Sequence, residues 1–81
     1  MTDIEKKVKA IIAKITDIDE SKITPELNLG NDLGLDNLDI IDLILELRIE
    51  FNISITDEDA KGLHTVGDAV AYVEKALNEN N

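Results

Sequence analysis

Residues 38–51 constrain this chain more than any other segment. On a helical wheel at about 100° per residue, Ile40, Leu43, Ile44, Leu47 and Phe51 share one side. Asp39, Asp42, Glu46 and Glu50 form an acidic stripe, and Leu38, Ile41, Leu45 and Ile49 form a second apolar stripe beside it. A helix that buries one face in a small domain has no need of that second stripe. Two arrangements satisfy the pattern. Either the helix is enclosed on all sides at the centre of a bundle, or one apolar face holds the core while the other is free to dock a partner.

The rest of the chain supplies the material for such a bundle. Ile4, Val8, Ile11, Ile12 and Ile15 follow the spacing of an amphipathic helix, with most of the nearby lysines on the other side. Asp36 followed by Asp39 resembles a capping box with Asp in place of Glu, which starts the central helix near Asp36 or Asn37. Thr56-Asp57-Glu58-Asp59 opens a short helix that Gly62 ends. Thr65, with Asp68 three residues later, caps a last helix whose buried stripe is Val66, Val70, Val73 and Leu77.

The stretch between Thr16 and Asp36 is long for a connection. Ile18, Ile23, Leu27, Leu29, Leu33 and Leu35 are spaced to pin it to the core, Gly30 and Gly34 supply bends, and Thr24-Pro25 predicts a single helical turn. "NISIT" is the one short strand candidate. The expected architecture is all-α: a single domain over 1–81, a small four-helix bundle of three main helices and one short one with a long first loop, and a frayed tail over 78–81.

With 18 acidic against 8 basic residues the net charge is −10. The imbalance is concentrated between residues 15 and 60, where only Lys22 and Arg48 oppose the acids. Such a surface repels nucleic acid and anionic lipid and attracts basic protein surfaces or divalent cations. The absence of cysteine excludes disulfides, thiolate metal sites and a thiol nucleophile. Asp17, Asp19 and Ser21 begin like a calcium loop, but Lys22 stands where Gly is needed and Asn28 where a bidentate Glu is needed. No metal site or catalytic residue is predicted, and His64, without a second base or nucleophile, reads as a loop or helix-cap residue. No run approaches the length of a membrane span, and no signal-peptide pattern is visible. A soluble cytoplasmic monomer is the expectation.

"LGLDNLD" running into an acidic-apolar helix, then "FNISITDEDA" and "TVGDAVAYVE", resembles the acyl carrier protein family, and "KITPELNLGNDLGLD" resembles its long first loop. The resemblance implies a carrier that catalyses nothing itself and carries thioester-bound acyl groups between enzymes of fatty-acid, polyketide or related synthesis. The cargo hangs on a 4′-phosphopantetheine arm, which a phosphopantetheinyl transferase joins to the serine of an Asp-Ser-Leu motif at the start of the second helix. It also implies that this helix meets the basic surfaces of acyl-transferring and synthase enzymes, here through Asp39, Ile41, Asp42, Leu45, Glu46 and Ile49. Arg48 and Ile49 depart from the pattern, since family members often carry acids there.

The larger departure is at the attachment point, which reads Asp36-Asn37-Leu38. Arm transfer needs a hydroxyl oxygen to attack phosphorus, and the amide nitrogen of Asn is delocalised into its carbonyl. Ser21 and Ser54 are the only serines, and neither lies in an Asp-Ser-Leu context. Asn is a good helix-capping residue, so the exchange is expected to cost the helix little. The chain as written is therefore expected to stay without the arm. It acts either as a carrier scaffold with a blocked site or as an unmodified interaction or regulatory module that keeps the docking helix.

Overall fold

A computed structural model of the chain describes residues 3–79. Helix α1 spans Asp3–Thr16, α2 Asn37–Phe51, α3 Asp57–Ala60 and α4 Val66–Glu79, with a single 3₁₀ turn at Glu20–Lys22. No strand forms among the described residues. "NISIT" forms no strand and buries Ile53 and Ile55, and the one β-type pairing joins Asn28 to Thr65. None of these helices is long and apolar enough to cross a membrane. Helix α4 continues through Asn78 and Glu79, into the segment expected to fray; the last two residues lie outside the described ones.

Helix α1 packs against both α2 and α4. Its Val8, Ile11 and Ile12 meet Leu43 and Leu47 of α2 and Val66, Ala69, Val70 and Val73 of α4 in one core cluster. The predicted stripe of α4 is thus present, with Ala69 added to it and Leu77 only partly buried. Two helices end at non-glycine residues in the left-handed region, α1 at Asp17 and α2 at Asn52. Short side chains of this kind tolerate that conformation, which turns the chain out of a helix. Lys9 departs from the solvated side expected of it. It is buried, and its Nζ lies 2.9 Å from Glu5 Oε2, one turn earlier.

The long first loop is ordered by hydrogen bonds as well as by its apolar residues. Ile23, Leu29, Leu33 and Leu35 are buried, with Ile18 and Leu27 partly so. The predicted turn at Thr24-Pro25 is not helical. The single turn forms earlier, where the Asp19 carboxylate accepts from the Ser21 amide at 2.9 Å and from its hydroxyl at 2.7 Å. Thr24 to Leu27 closes as a tight turn instead (3.2 Å), because Pro25 and Leu27 spend their carbonyls elsewhere. Leu27 O accepts from Val66 N at 3.0 Å and Pro25 O from Gly67 N at 2.8 Å, which satisfies two of the amides that the first turn of α4 leaves without partners. A Cβ at position 67 would lie 3.1 Å from Pro25 O, so glycine permits the close approach.

Residues 28–35 then lead the chain into α2. Asn28 Oδ1 accepts from the amides of Gly30 and Asn31, and Asp32 Oδ2 accepts from the Asn28 amide at 2.7 Å. Of the two predicted bends, Gly34 adopts a left-handed conformation (φ 74°) and Gly30 does not. Leu33 and Leu35, buried on either side of Gly34, fix where Asp36 and Asn37 emerge.

Candidate functional site

The start of α2 is set by Asp36. Its Oδ1 accepts from the Asp39 amide at 2.9 Å, and Asp39 Oδ2 accepts from the Asp36 amide at 3.2 Å. This reciprocal pair is the capping box predicted from the sequence. It also relocates one expectation. Asn37 is the first residue inside the helix rather than its cap, so the capping contribution comes from Asp36 whatever side chain stands at 37. Asn37 and Leu38 are both exposed. The carboxylates of Asp36 and Asp39 already occupy the positive end of the α2 dipole at this point. The Asn37 side chain does not suit a covalent link, because a carboxamide offers no hydroxyl oxygen. Of the two serines, Ser21 is exposed with its hydroxyl donated to Asp19, and Ser54 is exposed in the extended segment after α2. Neither begins a helix of the α2 kind.

The two apolar stripes of α2 separate in space. Leu43 and Leu47 have no exposed surface, and Ile40, Ile44 and Phe51 pack partly buried against the core. On the other stripe Leu38 is 72% exposed, Ile41 54%, Leu45 46% and Ile49 78%. The enclosed-helix arrangement is therefore excluded, and the apolar strip is open along the length of α2. Its acidic flank is present, with Asp42 exposed and Asp39 and Glu46 half-buried. Glu50, at the far end, lies 3.8 Å from Lys7 of α1, a solvated pair of small energetic weight. Towards the C-terminus of α2, Leu45, Arg48, Ile49, Asn52 and Ile53 line a shallow cleft of about 410 Å³.

A larger open cleft, of about 760 Å³, lies on the side formed by α3, α4 and the segment after α2. There the Tyr72 hydroxyl donates to Asp59 Oδ2 at 2.7 Å, with the Ser54 carbonyl 3.3 Å away. The bond to a carboxylate stabilises the neutral phenol, and partial burial and the Asp59 charge act in the same direction, so the Tyr72 pKa is pushed up to about 12. Sequence reasoning missed this tie, which links residues 13 positions apart with no local signature. The cap of α4 was legible. Thr65 Oγ1 accepts from the Asp68 amide, and Asp68 Oδ2 accepts from the amides of His64 and Thr65. The His64 and Thr65 amide bonds hold the Asp68 carboxyl below the usual carboxylate range, and His64 serves the cap through its backbone.

The family model for the phosphopantetheine attachment site matches residues 6–73. An acyl carrier protein from Thermotoga maritima is 44% identical over 75 residues, which cover 93% of each chain. The solved structure of an acyl carrier protein from Enterococcus faecalis superposes with a TM-score of 0.80 at 38% identity, covering 94% of this chain and 99% of that one.

Proposed function

The chain belongs to the acyl carrier protein family, and from that premise we propose that it is a carrier scaffold whose attachment position is blocked by Asn37. Members of the family are non-catalytic carriers whose cofactor is phosphopantetheine. In this reading Asp36, Asn37 and Leu38 occupy the attachment motif, and no arm is accepted because position 37 lacks the hydroxyl. The docking function is retained. Leu38, Ile41, Leu45 and Ile49 offer an apolar contact strip, and Asp39, Asp42 and Glu46 draw in the basic surfaces of a phosphopantetheinyl transferase and of acyl-transferring or synthase enzymes. The working form is a cytoplasmic monomer serving fatty-acid, polyketide or related synthesis.

The observation that carries this reading is the exposure of the second apolar stripe (46–78% at Ile41, Leu45 and Ile49) on a helix whose other face packs against the core through Leu43 and Leu47. Burial energetics do not account for a strip of this kind on a small domain, whereas docking does. A second reading, an unmodified interaction or regulatory module, is favoured by Asn37 itself, since the docking helix persists without the means to hold cargo.

Intact-mass measurement after incubation with coenzyme A and a promiscuous transferase separates these readings. In the Asn37→Ser variant the serine oxygen would form the bond to the pantetheine phosphorus, adenosine bisphosphate would leave, and the hydroxyl proton would pass to a base. A mass gain in the variant alone supports a blocked carrier. No gain in either chain supports the interaction module, and a gain in the unaltered chain refutes the role given to Asn37.

A further inference from the structure

We infer that the last third of α2 docks a protein surface that presents an apolar side chain beside a carboxylate, rather than the wholly basic surface suited to the rest of the helix. This rests on the docking reading above and specifies its partner. The two flanks of the exposed apolar strip on α2 differ in charge. Asp39, Asp42, Glu46 and Glu50 flank it on one side, and Arg48 stands alone on the other, beside Leu45 and Ile49. Arg48 is exposed, and among the described residues its guanidinium has no carboxylate within ion-pair distance. The positions one turn away along the helix are Ile44, Leu45, Phe51 and Asn52, none of them acidic, while Glu50, 3.8 Å from Lys7, stands in the acidic stripe on the other side of the apolar one. The cation is therefore available to a partner.

The surroundings of Arg48 determine what that partner must bring. Ile49, the most exposed large apolar residue among the described ones at 78%, stands with Leu45 and the buried Ile53 around the shallow cleft that Arg48 and Asn52 border. An apolar side chain seated between Leu45 and Ile49 removes their surface from water, and a carboxylate at its side meets Arg48. A Lys or Arg in the same place would face a like charge at close range. Arg48 also lies in the last turn of α2, where a cation complements the helix dipole. That role alone would alter stability and leave partner choice unchanged.

The test uses a phosphopantetheinyl transferase whose docking face is a row of Lys and Arg side chains, with dissociation constants measured for the unaltered chain and for Arg48→Glu. Reversing one surface charge is expected to tighten binding about three- to tenfold at low salt, an advantage that fades as salt screens it. A transferase carrying a Lys→Glu change where it meets the end of α2 should reverse the preference. Unchanged or weaker binding of Arg48→Glu overturns the inference, and a fall in melting temperature as the sole effect assigns Arg48 to the helix dipole. Asp42→Lys is the control for the underlying reading. If it weakens binding while Arg48→Glu does nothing, this inference alone fails; if neither matters, the docking role of α2 fails with it. A second copy of the chain could cover the same apolar face. Concentration-dependent dimerisation that Arg48→Glu abolishes would give the face to that copy and overturn the inference.

Discussion

Leu43 and Leu45 lie two residues apart on one helix, so the same truncation at each compares its two faces directly. Leu43 is fully buried and Leu45 is 46% exposed. Leu43→Ala removes a side chain from the centre of the cluster and leaves a cavity, a change that costs about 2–5 kcal/mol. Complete burial of a leucine is worth roughly 1.5–3 kcal/mol, and Leu45 achieves about half of that burial. Alanine also returns a few tenths of a kcal/mol through its helix propensity. Leu45→Ala is thus expected to cost about 1 kcal/mol or less, a loss of roughly 4–8 °C in melting temperature for a domain of this size. Urea unfolding followed by circular dichroism measures both losses. Binding to a phosphopantetheinyl transferase, measured on the same samples, should fall more for Leu45→Ala than for Leu43→Ala under conditions where both are folded. Equal destabilisation by the two substitutions would refute the two-faced account of α2, because the second stripe would then be contributing to the core.

Two further predictions concern titration. Tyr72 is the only tyrosine, so the ultraviolet absorbance of tyrosinate reports on it alone; its midpoint is expected at about 12, and Asp59→Ala should bring it back towards about 10. Because the folded value is raised, the associated stability is complete below the unfolded value and is lost as pH rises through the folded one; a tyrosinate midpoint near 10 in the intact chain would negate the Tyr72–Asp59 bond. For Asp68 the folded value is depressed, so its contribution is present above the ordinary carboxylate range and disappears as pH falls through the folded value. The gap in urea midpoint between the parent and Asp68→Ala should therefore narrow on acidification below about 4, and a gap that stays constant would count against the cap.

The features legible in the sequence were those governed by short-range chemistry. Asp36 with Asp39, Thr56, and Thr65 with Asp68 announced three helix starts because a capping side chain and the amide it serves lie within three residues. The two stripes of α2 were legible for the same reason, since a helix converts spacing directly into direction. Whether the second stripe was covered depended on where α1 and α4 lie, and spacing carries no information about that. The turn misplaced at Thr24-Pro25 shows the limit from the other side. Its residues fit a helix start locally, but Pro25 and Leu27 are bound to the amides of Gly67 and Val66, some forty residues away. Buried Lys9 and the Tyr72–Asp59 bond escaped for related reasons, one a charged side chain partnered by Glu5, the other a contact across the fold.

Folding and chemistry meet at adjacent residues here and remain separable. Asp36 carries the cap, so α2 begins at the same place whether position 37 holds a hydroxyl or an amide. In the proposed carrier scaffold, a hydroxyl at position 37 would serve an incoming phosphorus atom and not the helix, whose start is held by Asp36. The acids follow a similar logic on the surface. A strip containing Leu38, Ile41, Leu45 and Ile49 invites association between copies, and a net charge of −10 opposes it by mutual repulsion. The same repulsion vanishes before a basic partner and turns into attraction. In the proposed docking role one set of carboxylates would keep like molecules apart and bring unlike ones in, with Arg48 the single cation on α2.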